Sequence, residues 1–204
     1  ETDLDALLEA EGLAMRPGPK PRTKPTVLED LRNAVKACQK IEIQYRNRTT
    51  RRINRRIVDP YGFLYGHRHY LVAYNQVKGA QGYRLFSLPN IERVVPMAEY
   101  YERDENFSLE AFSQQSFGVF QEAPFQVVWR FSPRAAADAE DFLFHPEQEI
   151  ERQHDGSLIV RFVAGGALEM CWHLYAWGDD VEVLEPQTLR DMVSNDRQSW
   201  PGLP

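Results

Sequence analysis

Residues 51–74 read RRINRRIVDPYGFLYGHRHYLVAY, in which four arginines, Arg51, Arg52, Arg55 and Arg56, run into a stretch dense in Tyr, Phe and His. The apolar period in this stretch is two. Ile53, Ile57 and Val58 lead to Asp59-Pro60, and residues 61–65 and 69–74 flank Gly66-His67. Alternation broken by Gly and Pro predicts short half-buried strands joined by tight turns. Working outward, Ile41, Ile43 and Tyr45 continue the alternation on the N-terminal side, and residues 83–88 continue it up to Pro89. Four or five strands within about fifty residues predict a small β-barrel. A barrel of that size is filled by its own side chains, so a ligand must meet its rim or an exposed face.

Charge isolates the same region. Lys and Arg outnumber Asp and Glu by nine over residues 32–103 but are outnumbered by twelve over residues 104–204 and by three over residues 1–31, so the net charge of −6 conceals two opposed halves. A basic segment favours polyanions, and an acidic one repels them. At 204 residues the chain holds one large or two small domains, and the charge step favours two. Its 43% hydrophobic and 26% charged residues are those of a globular protein, with no apolar run of the roughly 18 residues a membrane span needs. Cys38 and Cys171 each sit in an apolar-periodic segment, which predicts two buried thiols in a reducing, cytoplasmic setting rather than a disulfide framework.

Before the basic region, Leu4, Leu7, Leu8 and Leu13 predict a short helix, followed by the proline-rich linker RPGPKPRTKP over residues 16–25. Residues 27–39 carry Leu28, Leu31, Val35 and Cys38 on one helical stripe, with Glu29 and Asp30 expected in the first turn, where the helix dipole favours acids. After an irregular aromatic stretch over residues 100–120, the order is strand (125–131), helix (133–142, started by Ser132), a hairpin about His154-Asp155-Gly156, helix (166–176), strand (181–184) and helix (186–193). This βαββαβ order with a final helix predicts an open antiparallel sheet with helices on one face, and α+β for the whole chain. Trp129, Trp172 and Trp177 are expected in its core.

The chain has none of the common nucleotide-loop, hydrolase-elbow or zinc signatures, and His67, His69, His145, His154 and His173 have neighbours that suit turns or core. No catalytic set, metal or cofactor is expected. Guanidinium groups hold phosphates bidentately and aromatic faces stack on bases at about 1–3 kcal/mol each, which is how small barrels hold single strands. Arg51, Arg52, Arg55, Arg56, Arg84 and His67 are the expected phosphate contacts, and Tyr61, His69 and Tyr70 the expected stacking or base-edge contacts. Alternation places about half of these aromatics in the core.

The run from Val58 to Tyr74, with its Pro60-Tyr61-Gly62 turn and the triplet His69-Tyr70-Leu71, resembles the signature of WYL-domain transcription regulators, with His69 in place of the tryptophan. The stretch Arg84-Leu85-Phe86-Ser87-Leu88-Pro89-Asn90-Ile91 resembles that family's R-x-F-R-L-D-R-I strand. Ser87 and Asn90 replace arginines and are expected as neutral hydrogen-bond partners. Asp155-Gly156-Ser157, residues 168–178 and residues 181–190 look like the C-terminal extension domain of the same family. The resemblance implies an Sm-like (SH3-type) sensor barrel over residues 27–103, a linker over 104–122 and a ferredoxin-like extension over 123–204, with residues 1–26 as a connector. It further implies an upstream winged helix-turn-helix on operator DNA, a homodimer, no membrane partner, and a bacterial cytoplasmic regulator sensing single-stranded DNA in a DNA-damage response. A nucleotide or other small anionic effector, a protein-interaction module and an enzyme acting on nucleic acid remain as alternatives.

Overall fold

The computed structural model describes residues 22–47, 50–66, 68–79, 81–119 and 121–194. The helix expected around Leu4 to Leu13 and the position of His67 lie outside them. The chain divides into two compact units, Glu1–Glu105 and Asn106–Pro204. Each has an antiparallel sheet and its own core.

In the first unit, helix α1 (Pro25–Ala37) begins two residues earlier than the sequence pattern suggests, because Pro25 takes the first helical position, where its missing N–H costs nothing. Glu29 and Asp30 therefore fall in the second turn. Its stripe of Val27, Leu28, Leu31 and Ala34 is buried against strands β1, β2 and β5. Cys38 ends the helix in the left-handed region at φ 51°. Strands β1 (Gln39–Arg46), β2 (Ile53–Tyr65), β3 (His69–Asn75), β4 (Gly82–Ser87) and β5 (Ile91–Tyr100) form an open sheet in the order β4-β3-β2-β1-β5. β4 and β5 end this order and do not pair with each other among the described residues, so the ladder does not close into the expected barrel.

Asp59-Pro60 does not end a strand. β2 runs through it for 13 residues, pairing with β1 up to Val58 and with β3 from Val58 onward, with a register shift between Pro60 and Gly62. Proline lacks a donor for the ladder and is tolerated at bulges and where one flank is unpaired. That is its situation here. Residues 91–100, to which the sequence pattern assigns no strand, form β5; Pro96 and the charges of Glu92, Arg93 and Glu99 mask its alternation, as an edge strand tolerates.

In the second unit, Ser108 caps helix α2 (Leu109–Gln114), its Oγ accepting from the Ala111 N–H at 3.1 Å, within the stretch expected to be irregular. Strands β6 (Phe125–Phe131), β7 (Glu149–Arg152), β8 (Leu158–Ala164) and β9 (Val181–Glu185) then form a sheet ordered β7-β8-β6-β9. Helices α3 (Ala136–Glu140), α4 (Ala167–Tyr175) and α5 (Gln187–Ser194) contribute Ala136, Met170, Cys171, Leu174 and Leu189 to the core. The helix expected over residues 133–142 is shorter because the Ser132 hydroxyl holds a preceding turn, accepting from Ala135 N–H and donating to Asp180 at 2.7 Å.

Trp129 is fully buried, its ring edge-on to Phe162 at 5.0 Å and to Phe144 at 5.6 Å. Two histidines belong to this packing. His145 stacks on Phe162, its Nδ1 accepting from the Glu147 N–H and its Nε2 donating to the Gln114 carbonyl at 2.8 Å. His173 accepts from Trp177 Nε1 at 3.2 Å, and burial lowers its pKa. Glu169, in the first turn of α4, accepts from the Val119 N–H at 2.7 Å, and a Cβ on Gly118 would lie 2.3 Å from its carboxylate. A side chain there would have to displace that carboxylate.

Candidate nucleic-acid interface

Strand register sorts the arginine block. Ile43 pairs with Arg56 and Val58 with Asn75, while Ala73 pairs with Arg84 and Leu71 with Phe86, so Arg56, Asn75 and Arg84 share the core-facing side of the sheet. Asn54 and Tyr45, a cross-strand pair, lie on that side too. Where the apolar core of Ile41, Ile43, Val58 and Leu71 stops, these residues border a pocket of about 260 Å³. Asn75 and Phe86 are buried, Arg56 and Tyr45 half-buried, and Asn47, Asn54 and Arg84 exposed. The pocket is therefore apolar and amide-lined at depth and cationic at its mouth.

Tyr45 is held at this site by the Ser87 N–H, which donates to its hydroxyl at 3.3 Å, and by an edge-to-face contact with Phe86 at 5.5 Å. The Arg56 guanidinium makes no hydrogen bond or ion pair among the described residues. Other cations of the same unit are neutralised internally: Lys24 and Arg46 both reach Glu92 at 2.6 Å, and together they hold its carboxyl below the usual range.

The remaining predicted residues are scattered. Arg55 projects from the other face and lies 3.8 Å from Glu42. Arg51 and Arg52 are exposed in the turn between β1 and β2, which Asn47 organises by accepting from the Thr50 N–H at 2.8 Å. His69 packs edge-on to Tyr65 at 4.7 Å, and Asn90 ends the 3-10 turn Leu88–Asn90, half-buried.

Tyr61, Tyr70 and Ser87 lie inside the fold. All three are buried, so neither ring offers the exposed face that stacking needs and the Ser87 hydroxyl does not line the pocket. Tyr61 lies edge-on to Tyr83 at 5.0 Å and close to Tyr101 at 5.3 Å on the face opposite the pocket. Residues 101–104 form a strap over it. Tyr101 Oη donates to the Pro60 carbonyl, the Arg103 guanidinium donates to the Tyr61 carbonyl at 3.0 Å and sits over the Tyr61 ring, and the Asp104 N–H donates to Tyr61 Oη at 3.0 Å. The sequence pattern missed Tyr45, Asn47, Asn54, Asn75 and Phe86 as site residues. For Asn54 the signal was its i, i+2 spacing to Arg56 and Val58.

Beside the strap, Asp59 is buried, with Gln76 Nε2 donating to its Oδ2 and no hydrogen bond to Oδ1 among the described residues. Burial raises its pKa, opposed by Gln76 and by Lys40. A carboxyl raised in the fold penalises folding as pH climbs past its unfolded value, most fully above the raised one, and is neutral in effect when both states are protonated. Asp59→Asn is therefore expected to gain stability over the parent at about pH 7 and to lose that gain near pH 3. Denaturant melts at the two pH values check it; an equal difference at both would show that the charge is not the cause.

A WYL domain model matches residues 26–96 and a WCX domain model matches residues 123–197. No curated protein matches the sequence significantly. Among solved structures, the chain is similar to proteasome accessory factor B/C (PafBC) of Arthrobacter aurescens, at 19% identity and TM-score 0.37, over 84% of this chain and 26% of that one. It is also similar to a CRISPR Cas-related protein, at 12% identity and TM-score 0.54, over 82% of this chain and 48% of that one. The chain thus spans about a quarter of the first and about half of the second. No helix of the described residues is long and apolar enough to cross a membrane. With a WYL domain and a WCX domain matched in tandem on its two compact units, the chain belongs to the family of proteins that join these two domains.

Proposed function

We propose that this chain is the effector-sensing and dimerisation half of a bacterial transcription regulator, whose WYL domain binds single-stranded DNA as a signal of DNA damage and so biases a DNA-binding domain elsewhere in the protein. The observation that carries this reading is the meeting of Arg56 from β2 and Arg84 from β4 at one pocket that also presents amides and aromatic rings. Arg51, Arg52, His67, His69 and Asn90 are additional contacts away from the pocket in this reading, and Arg55 stands apart on the other face. The role is one of binding, and its regulatory effect requires the ligand to prefer one arrangement of the dimer over another. Opposite net charges in the two halves of the sequence support association between copies, which analytical sedimentation at low and high salt tests by a mass that falls as salt rises. The order β7-β8-β6-β9 supports a ferredoxin-like extension.

Anisotropy of labelled single-stranded oligonucleotides of increasing length, at two salt concentrations, tests the proposal. Binding that tightens with length and weakens with salt is expected, by about 0.7 in the logarithmic slope per phosphate held. Absence of binding at low salt ends the single-strand reading. A free nucleotide is the second reading, favoured by the pocket volume of about 260 Å³; its binding would not depend on strand length.

A further inference from the structure

We infer that the pocket of the WYL domain takes one nucleoside monophosphate unit, base inward and phosphate at the mouth, so that a strand is held by insertion of a single nucleotide rather than by stacking along an aromatic face. This deepens the nucleic-acid reading above and rests on it. The tyrosines of the opposite face are engaged: Tyr83 meets Tyr61 and Tyr74 edge to face at 5.0 and 5.3 Å, and the strap of residues 101–104 covers Tyr61. The aromatic rings bordering the cationic pocket are instead Tyr45 and Phe86, fixed edge to face at 5.5 Å, a corner against which one base can lie.

The pocket is graded in depth as a nucleotide is graded in polarity. Asn75, 1% exposed, and Phe86, 5% exposed, lie deepest, and Arg84 and Asn54 are at the rim. A carboxamide presents a donor beside an acceptor, the arrangement that meets the edge of a base bidentately. Guanidinium groups meet phosphate in the same two-point way. The volume of about 260 Å³ suits one nucleotide and excludes a stack of several.

Competition against a bound, labelled single-stranded oligonucleotide tests the inference, with dAMP and ribose 5-phosphate as competitors of like charge. The nucleotide is expected to displace the strand at concentrations about tenfold lower than the sugar phosphate, and Asn75→Ala to erase that difference while the salt slope stays. Asn54→Ala, at the exposed rim, serves where the buried substitution fails to fold, and is expected to narrow the same ratio. Equal competition by the two compounds against the parent protein overturns the insertion while leaving strand binding intact. Where no oligonucleotide binds, the strand reading fails, and direct titration of dAMP followed by protein NMR shifts decides the pocket: shifts confined to its residues support a nucleotide site, and their absence overturns it.

Discussion

Replacing Arg56 and Arg84 together with alanine is expected to weaken binding of a single-stranded oligonucleotide by about 10²–10⁴-fold at low salt, because each charge-assisted contact is worth about 1.5–3 kcal/mol. The salt slope should fall as well, by about 0.7 if both arginines hold one phosphate and by about 1.4 if each holds its own. Arg55→Ala is the matched control, since Arg55 removes the same charge from the other face of the sheet, where an exposed pair with Glu42 contributes little. Arg56→Lys separates charge from geometry: a lysine keeps the slope but loses the planar fork, so affinity should fall while salt dependence holds. Anisotropy titrations of the four proteins read all of these quantities. An unchanged slope in the double variant would remove the pocket from the phosphate-binding surface.

The second large effect is on stability. Trp129→Ala is expected to cost about 3–5 kcal/mol, the range for emptying a fully buried aromatic site. The side chain is at 0% exposure and meets Phe117, Phe131, Phe144 and Phe162, so its loss leaves a cavity lined by rings that cannot all collapse together. Domains have only about 5–15 kcal/mol in total, so much of the stability of the second unit depends on this one residue. Trp129→Phe should cost far less than the loss of ring area alone implies. The indole Nε1 is buried with no hydrogen-bond partner among the described residues, and removing it relieves a desolvated donor. Denaturant melts followed by far-UV circular dichroism compare the two; a loss for Trp129→Phe as large as its missing ring area accounts for would show that the unpaired N–H carries no penalty.

The fold was legible wherever one face of an element was polar. The α1 stripe, the hairpins about Gly66 and Gly156, and the strand-helix order of the second unit follow directly from period and turn residues. β5 was hidden by Pro96 and its charges, and the passage of β2 through Asp59-Pro60 by the usual meaning of such a dipeptide. The site was legible only in part, for a reason that concerns distance along the chain. Arg56 and Arg84 stand out by charge, but Asn75 joins them only through cross-strand register, which a single strand does not encode. Tyr61 shows the limit most plainly. Alternation predicts that one face of a hairpin is buried, and it is silent about a segment more than forty residues later that covers the other.

That covering segment bears on how this module can be excised. The WYL match stops at residue 96, whereas Tyr101, Arg103 and Asp104 supply the hydrogen bonds that close over Pro60 and Tyr61. A fragment trimmed to the matched region would be clipped inside its own seam, leaving two strand carbonyls and a tyrosine ring facing water. One ending at Glu105, where the first compact unit ends, keeps the seam sewn. The edge of this domain is thus drawn by side chains that lie outside its signature.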